Sequence, residues 1–352
     1  MIESNQENRS ITECLARWIA TKEEQHLDAF YELLQSVGRK AAMSPSLRGK
    51  AQDGLRHEGF TVVEKWMLLR VASGRAPTYS EYTGEALLRT ILADADALVM
   101  MANAAEFVSE LLAALLVEDV LMRFEGRQRQ RIEERVSKLL DQVQDVQFLA
   151  GPRASFNGSA LSVPQLVGRL FVPESGVPEE MIFVRIVQAT DAVFLAVAAL
   201  LTAARQAIAL GDLPHGLLYL DRALLFARTL QPLAGANRLI HDEAWLSLRP
   251  LIIEPSAIQG QNFPRLAVEL KNLTAEAQRI LQHPRVPEDR RAWEPLLTEL
   301  LSEIHKAVKR WHDAHGPMAA SKNGPKSDGA VWLMAQRNRP WEDRSDEDAS
   351  AS

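Results

Sequence analysis

The stretch EEMIFVRIVQATDAVFLAVAALLTAARQAI, running from Glu179 to Ile208, decides the fold class. Its apolar side chains recur at helical spacing over a length that only a helix sustains, so it reads as one long core helix. Ala192–Leu210 within this stretch and Ala97–Met122 upstream both approach membrane length, but the first is broken by Arg205 and the second by Glu106, Glu110, Glu118 and Asp119. A span requires about 20 largely uninterrupted apolar residues. Both are therefore expected inside a protein core, and no membrane partner is expected.

Outward from this helix the periodicity stays helical, and alternating β-branched runs are nearly absent. The spacing predicts an all-α, multi-helix bundle with helices near 11–37, 58–73, 83–120, 126–148, 178–211, 214–235, 240–249, 263–283 and 288–314. From Gly151-Pro152 to Gly176-Val177-Pro178 the chain is rich in Gly, Ser and Pro, apart from a short apolar piece at Leu161–Phe171. From Met318 onward it is rich in Ser, Asp, Asn, Gly and Pro and ends in EDRSDEDASAS, a composition that buries too little surface to order itself. The expected organisation is an N-terminal helical region over 1–150, a connecting region over 151–177, a second helical domain over 178–317 and a largely disordered tail over 318–352. No internal repeat of fixed period is visible.

The 352 residues include 40 Lys and Arg against 46 Asp and Glu, a net charge of −6, with the basic residues spread among acidic ones. No basic stripe is left to neutralise phosphates, so nucleic acid is not expected as a partner. Cys14 is the only cysteine, which excludes an internal disulfide, and no Cys/His cluster has zinc spacing. The N-terminal MIESNQENRS has neither the basic nor the apolar region of a secretory signal. Together these features predict a cytoplasmic protein.

The helix at Glu179–Ile208 also resembles the long haem-pocket helix of the tryptophan and indoleamine 2,3-dioxygenase superfamily, in which an acidic pair precedes an apolar stretch. Phe183, Gln188, Asp191 and Phe194 stand where that family has Phe, Gln, an acid and an aromatic or apolar residue. Read without the resemblance, Phe183 and Phe194 are core packing. Downstream, EAWLSLRPLIIEPSAIQGQNFPRL, Glu243 to Leu266, resembles the family's substrate segment, an aromatic residue four positions before an arginine, followed by a loop of Pro, Ser, Gly and Gln. Trp245, Arg249, Pro255, Ser256 and Gln259 reproduce that order without a gap.

The resemblance implies an all-α bundle of the dioxygenase type, haem b as cofactor, O₂ and an aromatic amino acid as partners, and a homo-oligomer. By resemblance Arg249 clamps the substrate carboxylate, a task suited to a planar guanidinium that offers two parallel charge-assisted hydrogen bonds. Trp245, one turn earlier on the same helix face, lines the substrate pocket with Phe183 and Val187, and Gln259 is carried over to the cofactor side. The remaining requirement is a neutral imidazole on one face of the iron. LLSEIHKAVKRWHDAHGPM offers His305, His312 and His315. His305, mid-helix in the run Leu297, Leu301, Ile304, Val308, resembles the proximal ligand and is the expected metal site, with His312 two turns on as the alternative. His315 matches the family's Trp-x-x-x-His spacing through Trp311, but Gly316-Pro317 is expected to stop the helix directly after it.

Two departures shape the expected chemistry. Val187 stands where the tryptophan dioxygenases have a distal histidine, so no imidazole there can bond an indole nitrogen; the indoleamine dioxygenases lack it too. KNGPKSDG, Lys322 to Gly329, is a degraded counterpart of the family's Gly-Thr-Gly-Gly loop, with Pro325 near the threonine position. The expected reaction is oxygen insertion into an electron-rich ring, with a specialised-metabolite substrate suited to the LRPxxxEP run at Leu248–Pro255. The competing expectation is a helical scaffold that kept the fold and lost the haem.

TYSEYTGEALLRTILADA, Thr78 to Ala95, faintly resembles the family's N-terminal arm, whose pattern is Tyr-x-x-Tyr-x-x-x-x-Leu-Leu.

Overall fold

The computed structural model describes residues 2–37, 44–73, 77–150, 161–248, 250, 260–282 and 292–323, and no strand occurs among them. The chain opens with α1 (Ile2–Thr21), α2 (Glu24–Val37), α3 (Pro45–Leu55) and α4 (Val62–Ala72). One helix is expected over 11–37, but Lys22 at φ 60° turns the backbone out of the helical region and divides it into α1 and α2. Trp18, Phe30, Leu34, Leu47 and Leu68 close a small core among these four helices.

The remaining helices are α5 (Tyr79–Thr83), α6 (Glu85–Leu92), α7 (Ala97–Leu115), α8 (Glu118–Leu121), α9 (Gly126–Ala150), α10 (Val163–Arg169), α11 (Glu179–Ala209), α12 (Leu213–Ala227), α13 (Leu230–Ala236), α14 (Asp242–Leu248), α15 (Asn262–Leu281) and α16 (Glu294–Asn323). All of them contribute to one larger core. Leu166, Leu170 and Phe171 belong to it as fully as Phe194 does, so the expected connection over 151–177 does not divide two cores. The change of core falls between α4 and α5, with Val63 of α4 reaching across.

Side-chain caps explain where several of these helices start. Thr61 with Glu64, Thr78 with Glu81 and Ser162 with Gln165 form capping boxes at α4, α5 and α10. Gly84, at φ 73°, ends α5 and redirects the chain into α6, a backbone turn that a side chain would strain. α11 lies at the centre against α7, α12 and α15, which covers a helix apolar on nearly every side. α7 and α11 are each long and apolar enough to cross a membrane, and 61% and 83% of their most apolar windows are buried inside the bundle. α12 approaches α11 so closely that a Cβ at Gly216 would lie 2.7 Å from Ile208 Cγ1.

The register of the central helices follows from named pairs. Phe194 meets Phe263 with ring centroids 5.4 Å apart, and further along Arg205 reaches Glu269 at 3.5 Å, so α15 runs parallel to α11. Phe263 meets Trp311 at 5.0 Å and Thr274 meets His305 at 3.2 Å, so α16 runs antiparallel to both. The expected stop at Gly316-Pro317 is overridden, since α16 continues to Asn323. Proline inside a helix costs about 3 kcal/mol through one missing amide and a local clash, and docking of α16 on α12 and α13 outweighs that local preference.

Candidate functional site

The N-terminal half of α11 buries polar side chains that its C-terminal half lacks. Glu180, fully buried, accepts hydrogen bonds from Tyr82 Oη (2.7 Å), Glu174 N (2.6 Å), Ser175 N (2.8 Å) and Ser175 Oγ (2.5 Å). Burial pushes its carboxyl pKa up, and these bonds act against the rise. Arg70 of α4 pairs with Glu174 beside it, joining the small core to the large one. Gln188 is occupied structurally: its amide donates to Thr83 O (3.1 Å) and Leu170 O (2.7 Å), and its Oε1 accepts from Arg185 Nη1 (3.1 Å). The Arg185 guanidinium also lies over the Phe171 ring at 5.5 Å, and burial lowers its pKa to about 9.

The expected substrate-pocket residues come together. Phe183 and Trp245 meet edge to face at 5.2 Å, Tyr82 stacks on the other side of Phe183 at 6.1 Å, and Val187 is buried one turn along α11. Tyr82 comes from the Thr78–Ala95 segment, so the stretch with the faintest resemblance is packed against the residues with a stronger one. Arg249, Gln259, Pro255 and Ser256 lie outside the described residues, as does Pro325.

The histidines separate by level in the bundle, and His305 is engaged by a neighbouring side chain. Thr274 Oγ1 donates its single proton to Leu270 O at 2.8 Å, so at 3.2 Å it can only accept from His305 Nε2. A protonated Nε2 makes Nδ1 the ring nitrogen that carries the lone pair. His305 also sits at the Thr274 level, far along the bundle from Phe183 and Trp245. Antiparallel packing carries the chain from there toward the N-terminal half of α11, so His312 and His315 arrive on the pocket side. His312 is buried and stacked on Phe263 at 5.9 Å; His315 is buried and stacked on Trp311 at 4.9 Å. Burial and the neighbouring His312 lower the His315 pKa to about 4, which keeps its imidazole neutral. The objection that the helix ends after His315 is removed by the continuation of α16.

A third group joins Asp191 to residues that sequence reasoning did not single out as a site. Asp191, one turn before Phe194, faces Glu85 of α6, Tyr79 of α5 and Asn262 of α15, and all four are buried. Asn262 N donates to Glu85 Oε1 at 2.7 Å and Ser80 Oγ to Glu85 Oε2 at 2.7 Å. Burial and the charge of Glu85 push the Asp191 carboxyl well above the usual carboxylate range; Asn262 lies close enough to oppose this, yet not in hydrogen-bonding geometry. Glu85 carried no sequence signal because Asp191 and Asn262 come to it from over 100 positions away. Among the described residues no group of three or more His, Cys, Asp and Glu converges to hold a metal ion.

No known protein family, curated protein or solved structure matches the chain.

Proposed function

We propose that this protein is a haem-dependent oxygenase acting on the ring of tryptophan or a related aromatic amino acid, with His315 in place of the expected His305 as the residue that would hold the iron. The observation that carries the reading is the His315 side chain, a buried imidazole kept neutral by its surroundings, one turn after Trp311 and on the same side of the bundle as Phe183, Val187 and Trp245. Neutrality and burial are what an axial imidazole ligand requires. Bound there, haem would supply oxygen activation. The chain's own residues do the rest: Tyr82, Phe183 and Trp245 present ring faces and edges to an aromatic substrate, Val187 keeps that wall dry, and Arg249 is proposed for the substrate carboxylate. A cytoplasmic homo-oligomer is part of the same proposal.

The test is the visible spectrum of the purified, reduced protein. A Soret band is expected, lost in His315→Ala and retained in His305→Ala, and tryptophan should perturb it. A colourless protein after expression with haem supplied, or a band that survives His315→Ala, overturns the assignment. A second reading, a helical scaffold without haem, draws on the contact of Phe263, Trp311, His312 and His315 as one stacked set with centroids 4.9–5.9 Å apart. The same spectrum separates the two.

A further inference from the structure

The buried group around Asp191 has an electrostatic deficit that nothing among the described residues offsets. Glu85 and Asp191 bring two carboxyl groups together in a site of zero to one per cent exposure, and among the described residues no Lys, Arg or His pairs with either. Burying charge without a partner of opposite sign is costly enough that proteins rarely tolerate it.

Unsatisfied polar atoms point the same way. Both oxygens of Asp191, the hydroxyl of Tyr79 and both side-chain polar atoms of Asn262 are buried without hydrogen-bond partners. They surround one another, since Tyr79 and Asp191 each interact electrostatically with Glu85 and Asn262 lies against Asp191. The backbone at Gly260 comes so near that an added Cβ would lie 3.1 Å from Glu85 Oε1, so the chain closes around the carboxyl groups with no side chain between. Buried polar atoms are almost always paired in folded proteins, and several orphans gathered in one buried group, oxygens all but one, mark a missing partner.

We propose that Tyr79, Glu85, Asp191 and Asn262 form a receptor for a compact cation, either an ammonium group or a bare metal ion, held by oxygen atoms alone. The donors are the four carboxyl oxygens, Asn262 Oδ1 and Tyr79 Oη. With no sulfur or imidazole among them, the set suits hard cations or the N–H bonds of a primary amine rather than soft transition metals. A neutral water could fill some of the hydrogen bonds but would leave the charge of Glu85 uncompensated. The site lies on α11 between Val187 and Phe194, and its occupancy is independent of whether haem binds at His315.

The experiment is thermal unfolding of the full-length protein in a tetramethylammonium buffer, a cation too bulky for the site. It is titrated in separate arms with Na⁺, K⁺, Mg²⁺ and Ca²⁺ chlorides and with methylammonium and tryptamine. At about a hundred times its Kd the right cation should raise Tm by roughly 5 °C, saturably. Inorganic ions acting alone would identify a metal site, amines acting alone an ammonium site. The Glu85→Gln/Asp191→Asn double variant should still unfold cooperatively and show no cation-dependent rise. A wild-type Tm that responds to none of these cations, or a rise unchanged in the double variant, overturns the proposal.

Discussion

The two halves of α11 are one continuous helix with opposite content. From Ala192 to Ala209 its buried side chains are apolar; from Glu179 to Asp191 it buries Glu179, Glu180, Arg185, Gln188, Thr190 and Asp191 among the apolar ones. A bundle that needed only stability would make both halves alike, because polar groups in a core gain little even when fully bonded and lose much when they are not. The difference marks the first half as the place where apolar packing gives way to buried polar contacts, and those contacts are unevenly satisfied. Glu180 and Gln188 are fully engaged, whereas Asp191 is not.

That contrast can be broken from either side. In the apolar half, Phe194→Ala empties a place shared with Phe263 and Trp311 and should lower the unfolding free energy by roughly 3–5 kcal/mol, read by urea denaturation. In the polar half, Glu180→Ala leaves Tyr82 Oη and the Glu174 and Ser175 amides without their acceptor, and a loss of about 3 kcal/mol is expected in the same assay. A variant as stable as wild type would show that the buried glutamate contributes nothing net.

The titrating groups give smaller, signed effects. The folded-state pKa of His315, about 4 against 6.5 for an ordinary histidine, means the native state binds fewer protons than the unfolded state between those values. Its contribution is therefore present above pH 6.5 and lost as pH falls toward 4, about 3 kcal/mol in all. His315→Gln should flatten that acid limb, and an unaltered limb would locate the titration elsewhere. Asp191 has the opposite sign: its raised pKa makes its contribution complete below about pH 4 and lost as pH rises. Asp191→Asn should accordingly stabilise the protein at pH 7 by about 1 kcal/mol, with the gain shrinking toward pH 4.

Helix content and the course of the central helix were legible because apolar spacing over Glu179–Ile208 is a local property of the chain. The boundaries that differed have local causes too: the left-handed Lys22 divides α1 from α2, while Gly316-Pro317 is a stop signal that tertiary docking overrules. Phe183 and Trp245, expected together, do meet, and Val187 is buried one turn from Phe183. The surroundings of His305 were not legible, because its contact with a Thr274 hydroxyl already committed to Leu270 is a fact of three-dimensional bonding that spacing cannot carry. Glu85, Tyr79 and Asn262 were illegible for the same reason, each being unremarkable in its own segment.

The short link between α11 and α12, only Leu210–Asp212, has a consequence for how the molecule is made. These two helices are neighbours in sequence as well as in space, so their pairing closes a small loop and carries little entropic cost. The aromatic contacts on Phe183 are contributed by Tyr82 from one side of the hairpin in sequence and Trp245 from the other, and those on Phe194 by Phe263 and Trp311. During synthesis the hairpin can therefore form early, but the core around Phe194 closes only after the last long helix has emerged and docked, so truncation before Trp311 should yield a helical yet loosely packed chain.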